Sequence, residues 1–234
     1  MGATGIVIAR GGAGGKRAKI KYEPLAGRIG EFENPYRRGD VEHDIEHGAL
    51  YTETGEPIVG YQGDRHSVAV DRRVLEVPNA TFTHFHPDKS FGGTLSMQDL
   101  KVFARSNLKE LRAVSNQGQL YSIRSNGNVD RKGLSQWIRS NQKLAQRNFE
   151  SSYKSALKQA TTPLKSGPHK GEIKLVNRNT GAVTYRQPMT PQQAVNYARA
   201  YSVGMFDRMY GKALSRYGVT YTATKAGRNS DRKR

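Results

Sequence analysis

No cysteine occurs in this chain. That excludes disulfides and thiolate metal sites, so any metal must be held by histidine and carboxylate. Acidic residues are scarce, 20 against 38 lysines and arginines, and the resulting formal charge of +18 draws the chain toward polyanions. Nucleic acid is the commonest polyanion, and an acidic protein partner or a capsid is the other reading. Long apolar runs are lacking too. Ile6-Val7-Ile8-Ala9 is too short for the apolar core of a signal peptide, and nothing approaches the length that spans a bilayer. The expectation is a chain with no membrane partner, cytoplasmic in a bacterial host or associated with a virion.

The 234 residues suffice for one substantial domain with additions. Residues 1–40 mix glycines (Gly11, Gly12, Gly14, Gly15) with basic residues and show no sustained period, which predicts a flexible basic arm. Gly15-Lys16 is not a phosphate-binding loop, because that pattern needs Gly at position 10 and Ser or Thr at 17, where the chain has Arg10 and Arg17.

Strand patterns begin at Ile45. Ile45–Thr52 and Pro57–Tyr61 flank a turn at Glu53-Thr54-Gly55-Glu56 and predict a hairpin, with Ser67–Val70 as a third strand. Ala80–His86 alternates small or polar residues with aromatic ones and reads as another. Ser96 opens a helix over 97–104, with Asp99 at the acidic position of a capping box. A second hairpin, Leu111–Ser115 with Gln119–Ile123, completes an α+β domain over 41–125.

Residues 126–224 read as a mainly helical basic region. It holds a long helix from Leu134 to Leu157, whose apolar side takes Trp137, Ile138, Leu144, Phe149 and Tyr153. A hairpin is expected around Asn177–Gly181. A second helix is opened by Thr190-Pro191-Gln192-Gln193 and ends near Tyr217-Gly218, before a strand-like Val219–Thr222. Residues 225–234 read as a solvated basic tail.

The chemistry concentrates in THFHPDKSFGGTLSMQD, residues 83–99. Strand side chains repeat every two residues, so His84 and His86 share one face. Two such histidines with Asp99 from the following helix would make three ligands, the number that catalytic zinc takes while keeping a position for water. A glutamate on a neighbouring strand would serve as base. Glu46 is the choice because it lies inside the first predicted strand, with Glu76 as runner-up. His43, His47, His66 and His169 read as surface or core histidines, and His47 should face away from Glu46.

His84-Phe85-His86-Pro87, nine residues from Pro87 to Leu95, then Ser96-Met97-Gln98-Asp99, with an upstream Glu on a strand, resembles the JAMM (JAB/MPN) metalloprotease motif. The His-to-Ser interval is longer than is usual in that family, which implies a longer loop. Phe85 also replaces the usual small polar residue and should pack away from the site. The resemblance implies a JAB/MPN-like (cytidine-deaminase-like) mixed sheet with flanking helices. It implies Zn2+ on His84, His86 and Asp99, with Glu46 as general acid and base and Ser96 bonding the water or oxyanion. It further implies cleavage of peptide or isopeptide bonds in polypeptides or ubiquitin-like conjugates. The layout also resembles parts of tailed-phage and polymorphic-toxin proteins. The alternative is a catalytically silent JAB-like virion component that grips nucleic acid or a capsid.

Overall fold

A computed structural model describes residues 5–8, 19–25, 27–38, 44–87, 94–116, 118–177 and 181–224. The chain divides into two units, one formed by residues 1–140 with 210–234 and the other by 141–209.

The first unit is α+β. In chain order its elements are β1 (Gly5–Ile8), β2 (Lys21–Glu23), α1 (Ile29–Arg38), β3 (His47–Tyr51), β4 (Pro57–Gln62), β5 (Ser67–Val70) and α2 (Arg73–Glu76). There follow β6 (Thr81–His86), α3 (Met97–Arg105), β7 (Glu110–Ser115), β8 (Leu120–Ser125) and the start of α4 (Arg131–Thr161). Seven strands form one mixed sheet in the order β11-β8-β7-β6-β3-β4-β2, where β11 is Val219–Thr224. Only β6 and β7 in it run parallel, and α3 makes the crossover between them. A separate parallel pair joins β1 to β5, from Gly5 opposite Ser67 to Ile8 opposite Val70.

Period-two alternation along β6 sorts its side chains between two layers. Thr83 and Phe85 face α1. There Phe85 stacks on Tyr36 with ring centroids 4.3 Å apart, and the Thr83 hydroxyl donates to Glu33 at 2.8 Å. Phe82, His84 and His86 take the opposite face, toward α3. Glycine is required at position 48 of β3 because a Cβ there would come within 2.7 Å of Phe82 Cζ, a ring fixed in the core.

Several expectations need correction. The segment read as an arm contains β1, β2 and α1. Helix α1 buries Glu33 and Tyr36 and carries Pro35 inside it, so an acid and a proline interrupt the pattern that would have marked it. The division of the chain does not fall at residue 125, because β11 pairs with β8 along its whole length, from Val219 opposite Ser125 to Thr224 opposite Leu120. Leu144 is 53% exposed and lies off the apolar side of α4. Residues 225–234 and His43 lie outside the described residues.

The second unit holds the later part of α4, the antiparallel hairpin of β9 (Ile173–Val176) and β10 (Val183–Arg186), and most of α5 (Pro191–Leu214). Thr190 caps α5 as expected. Its hydroxyl accepts from Gln193 N at 3.4 Å, and its own N–H donates to Gln193 Oε1 at 3.0 Å. Among the described residues no helix is long and apolar enough to cross a membrane.

Candidate metal centre

His84 and His86 leave β6 on one face and meet, Nε2 to Nε2, at 2.8 Å. Asp99 reaches them from the first turn of α3. Its Oδ1 lies 3.4 Å from His84 Nε2 and its Oδ2 3.7 Å from His86 Nε2. One ligand atom from each residue falls within 4.8 Å of the others, and all three residues are buried. The longer interval between His86 and Ser96 therefore does not keep Asp99 from the histidines.

Asp99 is fixed from two sides. Ser96 and Asp99 form a reciprocal capping box, in which Ser96 Oγ accepts from Asp99 N at 3.1 Å and Asp99 Oδ2 accepts from Ser96 N at 2.7 Å. Oδ1 accepts from the buried backbone N–H of Ile6 in β1 at 3.1 Å. Burial alone would raise the pKa of this carboxyl. The charges of His84 and His86, the hydrogen bond from His84 and the one from Ser96 outweigh it and hold the group well below the ordinary carboxylate range. Asp99 is thus an anion at neutral pH.

Two imidazole nitrogens and one carboxylate make a donor set able to hold a metal ion. The residues present fit such an ion. The carboxylate is also oriented by backbone donors, as ligating carboxylates are.

Glu46 is fully buried. It stands immediately before β3 rather than inside it, held by bonds of 2.7 Å from its N–H to Asp64 O and from Gly63 N to its carbonyl. Gly48 pairs with His84 in the antiparallel β3–β6 register, and continuing that register sets Glu46 opposite His86, on the same face. The runner-up Glu76 sits exposed at the end of α2. Glu53 pairs with Lys109 at 2.7 Å instead. His47 turns to the other face, as expected, and meets Glu23 at 2.8 Å. Of the sequence-derived set, Ser96 alone is half-buried rather than buried.

Two contributions escaped sequence reasoning. The Ile6 N–H is a backbone donor, for which no residue type is a signal; the only clue was the short run Ile6-Val7-Ile8, which fits a strand. Thr94 Oγ1, two residues before Ser96, lies 3.2 Å from the Tyr221 hydroxyl of β11. That contact depends on a pairing 127 residues apart.

No family model, curated protein or solved structure matches the chain.

Proposed function

We propose that the chain is a zinc-dependent hydrolase of the JAMM type, acting on peptide or isopeptide bonds. The observation that carries this reading is the convergence of His84, His86 and Asp99 in one buried cluster, with Ser96 capping the helix that presents Asp99. The seven-stranded mixed sheet, with α1 against one face and α3 against the other, is compatible with a JAB/MPN fold.

His84, His86 and Asp99 would hold the ion. Bound zinc would polarise the scissile carbonyl and lower the pKa of a water into the neutral range. Glu46 would take a proton from water as it adds to the carbonyl carbon and return it to the leaving amine as the C–N bond breaks. Ser96 Oγ already accepts from Asp99 N, so its own O–H remains to donate to the developing oxyanion. Polypeptides and ubiquitin-like conjugates are the substrate class.

The test is hydrolysis of a mixed-sequence peptide library and of a ubiquitin-like isopeptide conjugate. Activity should stop on adding chelator and return with zinc. Glu46→Gln should keep the metal while lowering kcat by about 10²- to 10⁴-fold. Hydrolysis indifferent to chelator, or to Glu46→Gln, would overturn the assignment.

A further inference from the structure

Within residues 141–209, eleven lysines and arginines stand against three acids. One of those acids, Glu172, is already engaged by His169, with Nδ1 and Oε2 2.7 Å apart. This unit is therefore a strongly cationic body in its own right, independent of the metal centre.

Its hairpin gives that charge a shape. Ile173 and Leu175 of β9 are buried, so Lys174 and Val176 take the outer face. Lys174 stands directly across from Tyr185, and Val176 across from Val183. All four residues of β10 are exposed, and Val183 and Tyr185 keep 42% and 38% of their surface in solvent. The Tyr185 ring lies flat on His169, with centroids 3.7 Å apart and planes inclined by 3°. The Glu172 carboxylate fixes the imidazole in that position. Lys174 lies across from Tyr185 on this face and Lys170 follows His169 in the chain, and both are exposed.

An acidic protein surface would use the cations but has no need of a flat pair of rings. A nucleic-acid duplex hides its base faces inside its own stack. A single strand offers both a phosphate chain for the cations and open base faces for the rings. We propose that the outer face of the β9–β10 hairpin binds single-stranded nucleic acid, with a base stacking on the Tyr185–His169 pair and phosphates meeting Lys170 and Lys174.

The full chain is titrated against a labelled oligothymidylate of about 20 nucleotides, long enough for a site of this size, and against a duplex of equal length, over a range of salt. The single strand should bind more tightly, and chelator should leave binding unchanged, which separates this proposal from the hydrolase reading. Tyr185→Ala should weaken binding by about 5- to 100-fold and leave the salt dependence intact, while Tyr185→Phe retains affinity. Lys174→Ala should flatten the slope of log K against log salt by about 0.7. The Lys174 variant keeps the test alive should the Tyr185 variants fold poorly. Wild-type affinity in Tyr185→Leu would mark the face as an apolar protein-docking patch, and equal affinity for the duplex would mark a general polyanion surface. Either result, or no binding to the single strand, overturns the proposal.

Discussion

Asp99 keeps its negative charge in a place sealed from solvent, where an unpaired carboxylate would be strongly disfavoured. Two backbone N–H groups and two imidazoles make that possible, and a cation seated among them would complete the compensation. Because the Ile6 N–H points at Asp99 Oδ1, Ile6→Pro removes a donor to the proposed ligand. Zinc affinity in Ile6→Pro should fall by about 10- to 100-fold, as for other groups that orient a metal ligand, while Ile6→Val stays near wild type. Competition with a chromogenic chelator reads this directly, and equal affinities would show that β1 plays no part in holding Asp99. His84 and His86 were legible because a two-residue interval in a strand can only mean one face. Asp99 was legible because Ser96 three residues earlier marks a helix start. Glu46 followed from its neighbourhood to a strand, although the strand begins one residue later. Ile6 was not legible as a site residue, since its contribution is a peptide N–H that any residue but proline carries.

Among the elements, β4, β5, β6, β7 and β8 were readable from alternation and from the glycine and asparagine of their turns. Helix α1 was not, because its inward face includes Glu33, which needs Thr83 and Arg112 from distant strands to be buried at all. The link between β2, β4, β5 and α2 was equally hidden, and it passes through Asp71. That carboxylate accepts from Tyr22 and Tyr61 hydroxyls at 3.1 and 3.0 Å and from Arg73 N and Nε at 2.9 and 3.0 Å. Burial would raise its pKa, but the bonds from Arg73 and the two tyrosines bring it below the ordinary value of 3.8. A group lowered in the folded state stabilises the fold above its unfolded pKa and loses that contribution as pH falls through the folded one. Asp71→Asn should therefore cost about 1–3 kcal/mol near neutral pH. The gap to wild type should narrow in acid, as pH falls from 3.8 through the lower folded value of Asp71, below which the wild-type carboxyl is protonated too. Urea denaturation at neutral and at acid pH checks it, and a gap of the same size at low pH would contradict the role given to the charge.

At the scale of the whole molecule, the change from strand to helix near residue 126 marks a change of element type and not the edge of a unit. The chain leaves the first unit within α4, forms the second, and returns within α5 to add β11 to the sheet. The strand character of Val219–Thr222 was legible locally, but its return to pair with β8 was not, because that pairing joins segments about a hundred residues apart. The charge of +18 was visible at once, but its concentration against an exposed ring stack in the second unit required the hairpin register. The central claim, that the first unit builds a metal centre from His84, His86 and Asp99, is tested most directly by zinc content per chain. The protein would be untagged, loaded with zinc and dialysed, with wild type set beside His86→Ala and Asp99→Asn. The account predicts about one zinc per wild-type chain, the stoichiometry of a single three-ligand site, and its loss in both variants. A wild type that retains no zinc after loading, or variants that retain as much as wild type, would contradict it.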